Sequence, residues 1–188
     1  RERVERVRAG LPEPPWEREA RYVAAGVPLP VVHYLVRRGG AALVDRVVAA
    51  AGTDVRAAAL FFGERVKGLR RAGVPVDRIP EDAWVELFHA LAARPARREA
   101  WATLVRRMAS RPGESLAVLL AELGLDGEPP GWRAMLPRWV EAAEREAYDR
   151  DPGRILRHAT GRVMDTLRGR VPASVVVPAV RAAAEARP

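Results

Sequence analysis

The chain contains no cysteine, which removes disulfides, thiolate nucleophiles and cysteine-based metal sites together. Its three histidines, His33, His89 and His158, are scattered, and none has a second ligand at i+3 or i+4, so no metal site is expected. No apolar run approaches the ~20 residues that span a bilayer, and RERVERVRAG at the start is not a signal peptide. Those absences predict a cytoplasmic protein with no membrane segment. The chain opens on Arg1 rather than methionine, which suggests a fragment or a processed form. No serine stands in a G-x-S-x-G setting, and no glycine-rich phosphate loop follows a strand. Glu81-Asp82 read as first-turn dipole residues, and Glu141, Glu144 and Glu146 as a solvated helix face. No catalytic residue and no cofactor are expected, and the chain is not read as an enzyme.

Lysine is almost missing too. Lys67 is alone, so the formal net charge of +8 rests on arginine. A GC-rich genome produces part of that bias, which makes the placement of the arginines more informative than their number. Basicity still favours an anionic partner, nucleic acid ahead of membrane. With 188 residues and 48% hydrophobic content the chain has enough material for one sizeable domain or two small helical ones.

The pattern along the chain is helical. Arg1 to Ala9 has helical character without a strong stripe, and Pro12, Pro14 and Pro15 impose an extended approach. Trp16 to Tyr22 forms a short helix ended near Gly26, and PVVHYLVRR a second, closed at Gly39-Gly40. Ala41 to Ala51 is a third, with Leu43, Val47 and Val48 inward. Thr53-Asp54 caps a long helix to about Arg71, whose stripe is Val55, Ala59, Phe62, Val66 and Leu69. VPVDRIP reads as an extended linker. Next comes a helix from Pro80 that buries Trp84, Leu87, Phe88 and Leu91. Arg94-Pro95 breaks it, and Arg97 to Ala109 follows. Ser110 to Gly113 is the expected boundary, and a joint about which the two parts flex. Beyond it Ser115 caps LAVLLAELG, a helix runs from Trp132 or Arg133 to Tyr148, and Pro172 to Ala186 closes the chain. No segment alternates as a strand does, and Pro178 spoils the β-prone VVV at 175–177. The predicted fold is all-α, in two helical subdomains, 1–110 and 111–188.

The most informative stretch is GRILRHATGRVMDTLRGRV, Gly153 to Val171. On a helix, Leu156, Thr160, Val163 and Leu167 share one side, flanked by Ala159 and Met164. Arg154, Arg157, His158, Gly161, Asp165 and Arg168 share the other. Gly169 suits a left-handed C-cap, and Pro172 restarts a helix. A cationic face with a glycine at its centre lets another backbone approach closely, so it is a binding face. Arg154, Arg157, Arg162, Arg168 and Arg170 are the phosphate-gripping candidates, with Gly161 and Gly169 in the same set. Arginine suits this work because its planar fork donates two hydrogen bonds to one phosphate. The bland alternative is a solvated face in an arginine-biased chain. Lys67, Arg70 and Arg71 form a secondary set, for which the pull of cations toward a helix C-terminus is a sufficient explanation. Phe61, Phe62, Trp84, Phe88, Trp101, Trp132 and Trp139 fall at core spacing, whereas Trp16, among prolines, is placed to pack on another domain or a partner protein.

Four segments now stand in a particular order: VERVRAGLPEPPWEREARYV, then LRRAGVPVDRIP before ELFHALAARPARREA, then GESLAVLLAELGL, then GRVMDTLRGRV. Together they resemble the C-terminal half of the GatB/GatE family, the tRNA-binding components of the tRNA-dependent amidotransferases. Those enzymes convert Glu-tRNA(Gln) or Asp-tRNA(Asn) to the amide form. The resemblance covers nearly the whole chain. It implies a helical linker domain from about residue 12 to 110. A YqeY-like tail domain of three to four helices would follow, from about 111 to 188. The tail would hold the tRNA elbow around the D-loop, with kinase and transamidation chemistry in an N-terminal cradle domain missing from these residues. The implied partners are tRNA(Gln) or tRNA(Asn), the cradle domain and the glutaminase subunit.

The chain departs from the family's pattern in four places. Arg157 stands where a second glycine is common, Asp165 where lysine is usual, and Val177 where asparagine is; Gly153-Arg154 lies two residues late relative to Tyr148. Asp165 repels phosphate unless Arg168, three residues on, pairs with it. These departures favour the rival reading, a structural protein–protein interaction module with no RNA binding of its own.

Overall fold

The computed structural model describes residues 13–147 and 151–186. The helix expected at Arg1 to Ala9, the bend at Pro12 and the helix end at Tyr148 lie outside the described residues. Among those described, the chain is all-α, with no strand. It divides into two compact units, Arg1–Val76 and Asp77–Pro188, so the segment 110–113 falls inside the second.

Among the described residues the first unit has five short α-helices and a π-helical turn. α1 (Pro15–Ala24) and α2 (Leu29–Arg37) each carry a proline in the first turn, where the missing N–H costs nothing. α3 (Ala41–Ala51) has the expected bounds but not the expected face: it buries Ala41, Val44 and Val47, while Leu43 and Val48 are half-buried. AALVDRVVAAA is apolar nearly all round, so spacing alone does not choose between adjacent stripes. α4 (Val55–Leu60) starts at Asp54, whose carboxylate accepts from the Ala57 N–H at 2.8 Å. A π-helical turn (Phe61–Val66) then interrupts the long helix before α5 (Lys67–Arg71) resumes. The wider turn brings Phe61 inward beside Phe62, their rings edge to face with centroids 5.4 Å apart. Gly63 lies where α2 crosses this turn; a Cβ there would sit 2.6 Å from Val31 Cγ1.

α1 is tied to α3 by a polar cluster over a buried ring. Tyr22 is fully buried, with its hydroxyl 2.9 Å from both the Ala41 carbonyl and Asp45 Oδ1. Asp45 also meets Arg18 at 2.9 Å and Arg21 at 3.1 Å, and Arg21 is forked onto Glu13 at 3.0 and 2.7 Å. The Arg21 hydrogen bond holds the Glu13 carboxyl below the usual carboxylate range. A depressed carboxylate stabilises the fold above its unfolded pKa of about 4.3, and the contribution drains away as pH falls through the folded value. Acid titration followed by circular dichroism should therefore show the wild type losing stability below about pH 4.3, with Glu13→Gln losing less over the same interval.

Between helices, 74–80 is not the extended linker its sequence suggests. A 3-10 turn (Val76–Arg78) forms there, and Val76 and Ile79 are buried. Residues three apart eclipse one another on such a turn, so both go inward. α6 (Glu81–Ala93) then buries Trp84, Leu87, Phe88 and Leu91 as expected. α7 (Trp101–Ser110) begins four residues later than Arg97, because Pro95 opens a 3-10 segment (Pro95–Glu99) first. Leu104, Val105 and Met108 are buried on α7, and Trp101 is half-buried. Ser115 starts α8 (Leu116–Glu122) by accepting from the Val118 N–H at 3.4 Å.

The remaining helices, α9 (Trp132–Glu146), α10 (Pro152–Leu167) and α11 (Ala173–Glu185), pack as a three-helix bundle. Its core includes Leu136, Val140, Ala159, Val163, Leu167, Val176 and Val180. The β-prone VVV is helical here: burying Val176 outweighs local preference, and Pro178 points its ring to solvent within α11.

Contacts on both sides of residues 111–113 fasten this bundle. Gly169 lies against Ala100 and Leu125, Arg170 donates to the Leu123 carbonyl at 3.1 Å, and Glu99 accepts from the Ala173 N–H at 2.9 Å. Arg111 itself is forked onto Glu122, with Nη1 3.0 Å from Oε1. The expected joint at Arg111–Gly113 is thus bridged by the contacts of Ala100 with Gly169 and of Glu99 with Ala173.

Candidate nucleic-acid interface

α10 carries the candidate face. Asp151 sets its start by accepting from the Arg154 N–H at 2.8 Å, with Pro152 in the first turn. Ala159, Val163, Met164 and Leu167 turn inward. Thr160 is half-buried, and its hydroxyl donates to the Leu156 carbonyl at 2.8 Å, so this polar group is satisfied within the helix. Arg154, Arg157, His158, Gly161, Asp165 and Arg168 are all exposed. The division into two sides follows the sequence reading closely.

Within the exposed side, Arg154, Arg157, Gly161, Asp165 and Arg168 recur at spacings of three and four and form one stripe. At 1.5 Å per residue the stripe runs about 21 Å, long enough to meet several phosphates of a nucleic-acid strand. Nothing lies within 4 Å of a Cβ built at Gly161, so the helix backbone is bare at the middle of the stripe. Arg157 and Arg168 have no acidic partner among the described residues. Among the described residues Asp165 does not pair with Arg168, although Arg168 keeps its helical place, its N–H donating to the Met164 carbonyl at 2.8 Å; only the chain after it, from ψ 125°, leaves the helix. One negative charge therefore stays in the stripe.

The other sequence candidates are placed differently. Arg162 turns about 100° away from Gly161 and pairs with Glu146 of α9 at 3.1 Å, so it flanks the stripe rather than joining it. Gly169 is buried with φ +78°, and Arg170 is half-buried against Gly124 and the Leu123 carbonyl. Both support the bundle. Spacing placed Arg154, Arg157, Gly161 and Arg168 together; it had no means of showing which way the chain turns after the helix ends.

In the first unit the secondary set is also divided. Lys67 lies over the Tyr34 ring, its ammonium 4.4 Å from the centroid, and Arg70 donates to the Tyr34 hydroxyl at 2.6 Å. Arg71 is exposed. Tyr34, around which this set gathers, was not singled out by the sequence. Its signal, a tyrosine three and four residues before Arg37 and Arg38, looks like any amphipathic helix end. His33 is half-buried, and His89 and His158 are exposed on other elements.

No protein-family model matches the chain, and no curated protein or solved structure matches it.

The aromatic side chains are mostly core. Phe61, Phe62, Trp84, Phe88 and Trp132 are buried, and Trp101 and Trp139 are half-buried. Trp132 donates its indole N–H to Glu128 and is covered by the Arg133 guanidinium, 4.5 Å from the ring centroid. Trp16 is 69% exposed. Among the described residues no helix is long and apolar enough to cross a membrane.

Proposed function

We propose that the chain is the helical and tail region of a tRNA-dependent amidotransferase, and that it holds the elbow of tRNA(Gln) or tRNA(Asn). The reaction would be carried by a cradle domain and a glutaminase subunit, in the cytoplasm, with no cofactor bound by these residues. The observation that carries this reading is the exposed stripe of Arg154, Arg157 and Arg168 with bare backbone at Gly161 between them. A folded RNA is recognised by shape and by its ribose-phosphate surface more than by base edges. A row of guanidiniums beside uncovered backbone offers forked donors to phosphates and room for a sugar to come close. The order of the four sequence segments supports the same parentage.

Asp165, which has no cationic partner among the described residues, is the one observation that favours docking to a protein instead. Filter binding of tRNA(Gln) and tRNA(Asn) across a salt series separates the two. The wild type should bind at low salt, with affinity falling steeply as salt rises. Arg154→Gln, Arg157→Gln and Arg168→Gln together should lower the slope of log affinity against log salt by about 2–3, since each phosphate contact contributes about 0.9. The triple Lys67→Gln, Arg70→Gln, Arg71→Gln should change elbow binding much less. Absence of binding to either tRNA at low salt would overturn the reading, and a nuclease-resistant protein partner captured through the stripe would favour docking.

A further inference from the structure

The first unit carries a second charged surface, on different elements from the α10 stripe. Residues 27–44 and 65–76 together hold Arg37, Arg38, Arg65, Lys67, Arg70 and Arg71 and no acidic residue. α2 packs on the π-helical turn that leads into α5, so these cationic helix ends meet around Tyr34. Glu64, one turn before Lys67, is the nearest acid in sequence and is exposed.

Tyr34 is held from two directions. Lys67 sits on its ring, and Arg70 takes its hydroxyl as an acceptor. Both interactions fix the ring without covering it fully, and Tyr34 stays half-buried. Beside it opens a depression of about 320 Å³ lined by Pro30, His33, Tyr34, Arg37 and Arg38. These residues follow one another along one face of α2, the proline and two flat rings toward its start and two exposed guanidiniums at its end, and match the two parts of a nucleotide. Stacking on an aromatic ring is open to any base, and arginines at the rim meet the phosphate. Cations at helix C-termini offset the helix dipole, but that need does not call for an immobilised tyrosine or an open depression next to it.

We propose that this depression takes an unpaired nucleotide of a single-stranded RNA segment, its base against Tyr34 and its phosphate on Arg37 and Arg38. The inference stands apart from the reading of α10, because it uses another unit and another kind of contact. A base in a duplex is already stacked and hidden, so the site discriminates single strands from double strands.

Fluorescence anisotropy with a labelled oligoadenylate, on the full chain at low salt, tests this. Oligoadenylate should bind about tenfold more tightly than a duplex RNA of equal length, since one stacked base is worth about that much or more. Arg37→Gln with Arg38→Gln, both at the surface, should weaken oligoadenylate binding and lower its salt slope by about 1.4, at about 0.7 per single-strand phosphate contact. Tyr34→Leu should remove the preference for single strands, while Tyr34→Phe, which keeps the ring, should retain it. All of these comparisons are made in the full chain carrying Arg154→Gln, Arg157→Gln and Arg168→Gln, which removes the α10 stripe's own phosphate contacts from both ligands, so failure of either proposal is distinguishable from failure of the other. Three results would overturn the inference: equal binding of duplex and single strand, no effect of the Arg37/Arg38 double variant, or displacement by oligoglutamate of matched charge.

Discussion

Gly169→Ala is expected to lower the unfolding free energy of the second unit by about 2–5 kcal/mol, the sum of a backbone and a packing cost. The backbone cost comes from φ +78°, a left-handed conformation that a Cβ disfavours by about 1–2 kcal/mol. The packing cost comes from where that Cβ would go: 2.5 Å from Ala100 Cβ and 2.7 Å from Leu125 Cδ2. A leucine methyl swings aside, but Ala100 Cβ is fixed to its backbone, so the chain itself must shift, at about 1–3 kcal/mol. Urea denaturation read by tryptophan fluorescence suits the question, because Trp84, Trp101, Trp132 and Trp139 all belong to the second unit. Gly161→Ala is the control. Its methyl meets nothing within 4 Å and it lies in mid-helix, so it should be neutral or stabilise by up to ~1 kcal/mol. If the two substitutions behave alike, the bundle is not fastened at Gly169.

The other large effect concerns Tyr22. Tyr22→Ala should cost about 3–5 kcal/mol, the range for deleting a buried aromatic ring. Tyr22→Phe should cost only about 0.5–1.5 kcal/mol, because it keeps the ring and loses one hydrogen bond. The ring itself is wholly enclosed between α1 and its neighbours, whereas the hydroxyl lies at the edge, shared between the Ala41 carbonyl and Asp45. Burial, and then Asp45, push the phenol pKa up. A raised phenol stabilises the fold below its unfolded pKa of about 10 and ceases to do so as pH rises beyond it. Thermal melts at neutral pH should rank wild type above Tyr22→Phe and both far above Tyr22→Ala. Above about pH 10 the gap between wild type and Tyr22→Phe should narrow. A Phe variant as damaged as the Ala variant would mean that the polar cluster, not the ring, holds α1.

Much of this architecture is legible residue by residue. The bounds of α3, the cap at Asp54, the four core residues of α6 and the two sides of α10 all follow from local pattern. Each is set by spacing or by a side chain reaching three residues along its own helix. The misses are of another kind. A helix as uniformly apolar as Ala41–Ala51 presents several equivalent stripes, and the choice of Val44 over Leu43 was made by what packs against it. Phe61 is buried as expected, but the π turn that carries the backbone there is a distortion that spacing at 100° per residue does not express. On α10 the exposure of Arg154, Arg157 and Arg168 was legible because it follows from helical period. The partners of Arg162 and Arg170, Glu146 and the Leu123 carbonyl, were not legible because they lie on other parts of the chain.

By itself, then, the sequence determined that this is a helical protein, where most of its helices start, and which side of α10 meets water. Those properties depend on neighbours within one turn. Only the tertiary structure decided which arginines remain outward, where Tyr34 is held, and that Gly169 is buried against Ala100 and Leu125. A guanidinium keeps the same charge wherever it stands, and what it does is set by the atoms brought beside it from distant parts of the chain.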